Sequence, residues 1–365
     1  MPRTRLFLPL LIFSMFFVAT TNFSHATTHR NLTSETHLVL VKTIAGNISP
    51  KSVTSSNAGI VSAQNMMYRH SITIYDSHTF RLKATIPDTV QLSSYGYSKN
   101  PGLYKGAPVE GAYSPDGKYL YVTNYSMYGA SYIREGHDVC SPSSHFDSSF
   151  LYRIDLSTYA IDNIYPVGVV PKGVAVTPDN SFVLVSNWCS YSLSVIRIAT
   201  GKTVKTINVG AYPRGIAISS DSGHAYIAEM GGTQIHVLNL HDFSMKTIPI
   251  GLNPRAIVLS PDGKNLYASL NQSGRVVSWN LATNKAGKSI QTGKDARSLA
   301  ISADGSALFV TNYLSGTISK IRTSKMTLVQ TINVCKSPIG VTYDKPTSRT
   351  WVACYDGLIK IFDNK

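Results

Sequence analysis

The sequence predicts an all-β fold: a seven-bladed β-propeller whose ring is closed by an N-terminal strand completing the last blade. Three observations predict it. First, a Pro-basic dipeptide or a variant of it recurs at Pro171-Lys172, Pro213-Arg214, Pro254-Arg255, Ala296-Arg297 and Pro338-Ile339, with gaps of 42, 41, 42 and 42 residues. Second, each copy holds four short runs rich in β-branched and aromatic residues, separated by turn residues. Third, the last copy ends one strand short, and a matching strand stands near the other end of the chain. Self-similarity at this period marks a repeat architecture, because one blade cannot bury its own faces and needs neighbours on both sides.

In chain order, residues 1–26 read as a secretory signal peptide. Arg3 and Arg5 give a basic start, residues 6–19 are apolar, and Ser24-His25-Ala26 offers a small-x-small cleavage site. The apolar run is short for a membrane span and contains Pro9. A short segment, residues 27–37, leads into a single propeller domain over residues 38–365. Its first strand, residues 38–46, resembles the fourth strands at 203–210 and 328–334. Copy one starts near Pro50 and carries an insertion at 90–104. Copy two starts at Ala107 and carries an insertion at 126–149. Copies three to six are regular from residue 169 to 335. In copy three the strands are 173–177, 182–186, 193–198 and 203–209. The turn after the first strand recurs as Pro178-Asp179-Asn180, Pro115-Asp116-Gly117, Ser220-Asp221-Ser222, Pro261-Asp262-Gly263 and Ala303-Asp304-Gly305. Aspartate suits that place because its carboxylate caps the backbone amides of a tight turn. Copy seven ends after its third strand, 358–362, which is why residues 38–46 are needed to close the ring and remove its exposed edges.

The formal net charge is +14, and +12 without Arg3 and Arg5. That balance favours anionic partners. The leader places the chain outside the cytoplasm, periplasmic or secreted, and all four cysteines lie in the exported part. Register pairs Cys140 with Cys189, since both leave adjacent blades through the same class of loop. It pairs Cys335 with Cys354 in the same way.

Tyr121-Val122-Thr123-Asn124 and Phe309-Val310-Thr311-Asn312, with Ser-Pro-Asp-Gly-Lys-Tyr-Leu at 114–120, resemble the signature of the YVTN-repeat β-propeller family. The likeness extends over residues 38–365. It implies the propeller fold and a YncE-like exported protein, a group for which single-stranded DNA binding has been reported. The family also contains surface-layer proteins and domains attached to oxidoreductases, and lactonase propellers share its architecture. Copies one, four and seven depart from the signature, with Ala63-Gln64, Ala228-Glu229 and Ala353-Cys354 at the Thr-Asn place.

Register places the basic residues Lys51, Lys172, Arg214, Arg255 and Arg297 around one mouth of the channel, with Val109 and Ile339 in the other two copies. Five cations around low-dielectric walls focus a positive potential suited to phosphates. The loop after the Thr-Asn place opens at the same end and carries Tyr125, Trp188, Tyr313 and Tyr355. Exposed aromatics beside cations supply stacking faces and charge, the two needs of a single-strand binder. Glu135, His137, Asp138, His145 and Asp147 in the 126–149 insertion fit no standard metal pattern, and neither a metal nor a cofactor is expected. No nucleophile elbow, phosphate loop or haem motif occurs. The expectation is therefore a non-catalytic binding module for an extended anionic polymer, single-stranded nucleic acid first and acidic polysaccharide second. A channel-site enzyme of lactonase or oxidoreductase type, and a surface scaffold for envelope or host proteins, remain as alternatives.

Overall fold

The computed structural model describes residues 32–365, together with Met1, Pro2 and Thr4. The expected leader lies almost wholly outside the described residues. By contacts the chain divides into residues 1–31 and 32–365, and the second unit is the propeller. It holds seven four-stranded antiparallel sheets and one two-stranded ribbon. Six sheets are consecutive: residues 52–87, 108–166, 171–208, 213–249, 254–291 and 296–333, numbered here blades 1 to 6. Blade 7 joins the two ends of the unit. Its inner, middle and third strands are Pro338–Asp344, Arg349–Cys354 and Leu358–Asn364, and its outer strand is Leu38–Ala45. That outer strand runs antiparallel to the third, from Leu38 opposite Asn364 to Ala45 opposite Leu358. The inner strands of neighbouring blades pack side by side, blade 7 against blade 1 included, so the ring is closed as expected.

Burial follows position within the blade. The second strands Phe182–Asn187 and Ala307–Asn312 are buried along their whole length, since both faces meet neighbouring blades. The outer strand Lys202–Asn208 is exposed at nearly every residue, and its lysines and threonines blunt the free edge. The core is therefore a set of wedges between blades. Trp351 is fully buried between blades 7 and 1, with Tyr75 and Phe80 around it. Leu184 and Leu193 meet Ile227 and Leu238 between blades 3 and 4. The turn aspartates cap as anticipated: Asp116 and Asp262 each accept the amide two residues on, at 3.1 Å, and a serine hydroxyl two residues back, at 2.5 Å.

The Thr-Asn signature is a structural device. In blades 2 to 7 the inner strand carries one extra residue against its neighbour, a bulge falling just after the Pro-basic pair; in blade 3 the shift lies between Pro171 and Val174. A bulge leaves a backbone amide without a ladder partner. In blades 2, 3, 5 and 6 the Ser or Thr hydroxyl of the second strand accepts it, while blades 4 and 7 have Ala228 and Ala353 there. Gly173 N–H donates to Ser186 Oγ at 2.8 Å, and Ser298 N–H to Thr311 Oγ1 at 3.0 Å. The same hydroxyls donate to the carbonyl of the next blade's basic residue, Ser186 to Arg214 at 2.8 Å and Thr123 to Lys172 at 3.1 Å. Gly173 must be glycine, because a Cβ there would stand 2.1 Å from the Arg214 carbonyl oxygen.

The asparagine pins the connection entering the inner strand. Asn187 Oδ1 accepts the Gly168 amide at 3.0 Å, while its Nδ2 donates to Ser192 and Ser194. Blade 7 has cysteines at both of these places, and the Cys335–Cys354 disulfide replaces the hydrogen bond with a covalent one. The second disulfide, Cys140–Cys189, ties the 126–149 insertion to blade 3. Both pairings match the expectation and suit an oxidising compartment. The other insertion forms the ribbon Thr89–Val90 with Tyr104–Lys105 and a short 3-10 helix, Leu92–Tyr95, packed on Phe150 and Tyr152. Among the described residues no helix is long and apolar enough to cross a membrane.

Candidate functional site

The bulge decides where four of the basic residues go. In blades 3 to 6 it turns the inner strand at its start and sends Lys172, Arg214, Arg255 and Arg297 toward the axis, while Lys51 reaches the same place from blade 1, whose inner strand pairs without a bulge. Lys51, Lys172, Arg214, Arg255 and Arg297 converge there, and the other four cations all lower the proton affinity of Lys51. The sequence reading set them around an open mouth. The structure sets three of them, Lys172, Arg214 and Arg255, in the channel wall and buried. Lys51 and Arg297 are half-buried.

Three of the five meet a carboxylate. Arg214 Nη2 donates to Glu110, Lys172 Nζ to Asp138 at 2.5 Å, and Arg297 Nε to Asp295 at 3.0 Å. Arg255 donates only to the Met230 sulfur, at 3.5 Å, and Lys51 lies 5.1 Å from the Tyr355 ring. Among the described residues, neither has an acidic partner within ion-pair reach. The Nε of buried Arg214 has no partner either. Glu110 and Asp295 were missed from the sequence. A signal for Glu110 existed: it stands in the column otherwise filled by Gly173, Gly215, Ala256 and Ser298, where a charged residue is out of place.

Burial and charge crowding together disfavour the protonated forms of these groups. Burial, with the like charges of Arg214 and Arg255, brings Lys172 down to about 7 even though Asp138 pulls it the other way. Burial and the other four cations hold Lys51 well below the usual lysine range. Burial and the neighbouring Arg214 and Arg297 likewise disfavour the charged form of Arg255. Desolvation pushes the Asp138 carboxyl up, but Lys172 and Lys51 hold it at about 2.

Two spaces open onto these groups. A chamber of about 140 Å³ lies within the channel, with Arg214, Arg255 and Arg297 at one level and Ile216, Ile257 and Leu299 two residues further along their strands. A wider groove of about 740 Å³ at the mouth is lined by Lys51, Lys172, Tyr68, His70, Tyr125 and Tyr355 among others. The four expected aromatics all stand at this end, each beside a cation or an acid. Tyr313 lies under Arg297 at 3.8 Å, and Tyr125 lies 5.6 Å from Lys172 and donates to Asp138 at 3.2 Å. Trp188 differs from expectation. It is 6% exposed, with Lys172 3.7 Å from one ring centroid and Tyr212 packed at 4.7 Å, and its indole N–H donates to the Asp138 carbonyl. The 126–149 insertion covers it, so Trp188 has no free face for stacking.

Tyr68, 86% exposed, offers the face that Trp188 lacks, and register reasoning missed it because it sits in the degenerate first copy. Tyr68 and His70 both hold left-handed backbone, φ 62° and 49°. His70 Nδ1 contacts Asp88 at 3.0 Å and the Gly106 carbonyl at 2.7 Å; both are acceptors, so Nδ1 carries the proton. The neutral ring thus keeps Nε2 as its basic atom. The side-chain hydrogen bond to Asp88 raises the His70 pKa, burial opposing it. In the insertion, Asp147 accepts from Arg134 and from two backbone amides, and Glu135 accepts from Tyr128 at 2.5 Å. These carboxylates are occupied in holding the loop.

With that geometry in view, comparison with known proteins places the chain as follows. The family model "Lactonase, 7-bladed beta-propeller" matches residues 244–338, a segment that carries Arg255 and Arg297. Antigen Lp49 of Leptospira interrogans is 33% identical over 86 residues, which is 24% of this chain and 17% of that protein. Among solved structures, hydrazine synthase of Kuenenia stuttgartiensis superposes with a TM-score of 0.67 at 16% identity, over 87% of this chain and 96% of that one. The last likeness is one of fold.

The crowded cations give a pH signature. Between pH 7 and the ordinary lysine value near 10.5, unfolded Lys172 holds a proton that the folded residue has released. Unfolded chain then binds more protons, so stability rises with pH across that interval and its penalty is complete below pH 7. Urea unfolding from pH 7 to 9 should show that rise in the wild type relative to Lys172→Met. Parallel pH profiles for the two proteins would contradict it.

Proposed function

We propose that this chain is an exported binding module of the YVTN type, periplasmic or secreted, whose channel face takes an extended anionic ligand, single-stranded nucleic acid first. One observation carries the reading: five basic residues face three carboxylates, and among the described residues Lys51 and Arg255 have no acidic partner. Like charges held together in a poorly solvated channel destabilise the free protein, and an anion relieves them. Lys51 in the groove and Arg297 in the chamber below it, both half-buried, suit phosphate contacts. Tyr68, Tyr355 and Tyr125 around the groove suit bases. The two disulfides support an oxidising location.

Titration of the purified protein with a fluorescent single strand at several salt concentrations tests this. Affinity should fall steeply with salt, and Arg297→Gln should reduce the slope of log K against log salt by about 0.7, the share of one phosphate. Tyr68→Ala should weaken binding about tenfold, the scale of one lost stack. Salt-independent binding, or none, would remove the reading.

The match to the lactonase model and the His70–Asp88 pair beside the groove support a second reading, a channel hydrolase acting on an anionic lactone or ester. In that case Nε2 of His70 activates water while Lys51 and Lys172 hold the substrate's charge. Turnover of a lactone panel that is abolished in His70→Ala would establish it, and absence of any turnover would dismiss it.

A further inference from the structure

We infer that the inner chamber is a seat for one terminal phosphate monoester, so that the protein holds a strand by a phosphorylated end. The inference deepens the anionic-ligand reading and rests on it. The chamber is small. Its volume is about 140 Å³, against about 740 Å³ for the groove above it. It is the smaller and deeper of the two spaces, and the one that three guanidinium groups line.

Its donors are also incomplete as they stand. Arg214 is 6% exposed; its Nη2 binds Glu110, while its Nε is buried without a partner. Arg255 is 9% exposed and has only the Met230 sulfur. Arg297 reaches Asp295 through Nε. Guanidinium forks bind phosphate oxygens through paired parallel N–H bonds, which suits a tetrahedral anion better than the thioether now in reach.

Charge and connectivity then choose between an internal phosphate and a terminal one. A monoester carries roughly −1.5 to −2 at neutral pH and presents three free oxygens to Arg214, Arg255 and Arg297. An internal diester carries a single charge and has a sugar on each side, so its strand would have to enter the chamber and leave it again. The apolar residues below the arginines, Ile216, Ile257 and Leu299, lower the local dielectric and strengthen whatever charge pair forms there. The groove above, with Tyr68 and Tyr355, is where the first bases of such a strand would lie.

The experiment compares three fluorescent strands of one sequence, 5′-phosphorylated, 3′-phosphorylated and unphosphorylated, binding to the purified full chain at moderate salt. One phosphorylated strand should bind at least tenfold tighter than the unphosphorylated one, and millimolar inorganic phosphate should compete with it. Arg255→Gln should remove that advantage, weakening the phosphorylated strand by at least the tenfold it had gained and the unphosphorylated strand by much less. Arg297→Lys, which keeps the charge and loses the fork, should reduce it, and thermal melts of both variants establish that they are folded. Equal affinity for all three strands would overturn the inference and leave the polyanion reading in place. Binding of none of them would overturn both.

Discussion

One hydrogen bond, made in blades 2, 3, 5 and 6, underlies much of this structure: the amide freed by the inner-strand bulge, donated to a Ser or Thr hydroxyl of the strand behind it. The bulge exists to re-aim a side chain, and a re-aimed strand leaves a donor that burial would penalise by about 1–3 kcal/mol if it stayed unmade. The hydroxyl removes that penalty. Its own proton then reaches the next blade's carbonyl, so the local repair also fixes the spacing between blades. Because the residue at the start of the inner strand is basic in five copies, closing the ring also concentrates positive charge on its axis.

Concentrating charge there opposes stability. Buried like charges lower the proton affinity of Lys51 and Lys172, and they leave Arg255 beside a sulfur atom instead of a carboxylate. A channel serving only as scaffold needs none of this, since valine and isoleucine fill the same place in blades 2 and 7. The 126–149 insertion partly offsets the field. It is anchored by the Cys140–Cys189 disulfide and brings Asp138 onto Lys172 and the Asp138 carbonyl onto Trp188. Its acidic residues thereby serve electrostatics and packing. The disulfide in blade 7 does related work elsewhere, holding by a covalent bond the connection that Asn187 holds in blade 3.

The fold was legible in the sequence because a repeat multiplies weak local signals. Turn aspartates, alternating strands and the missing last strand all agreed on one ring. The cysteine pairs followed from register alone. The candidate site was legible in part. Five basic residues in one column converge because each stands at the start of an inner strand, whereas the depth of each side chain depends on neighbours that register does not list. Glu110 entered from the small-residue column, and Tyr68 from a copy too degenerate to align. Trp188 was misjudged because its exposure is set by an insertion, and an insertion has no counterpart in the other blades to predict where it folds back.

Arg255 stands as an uncompensated buried cation kept for a ligand. Urea unfolding of the wild type and Arg255→Met, at low salt and without added anion, is the test. An uncompensated charge costs the folded state, so the variant should be more stable, by about 1 kcal/mol or more. A variant less stable by about 3 kcal/mol, the loss expected when a satisfied buried pair is broken, would contradict it.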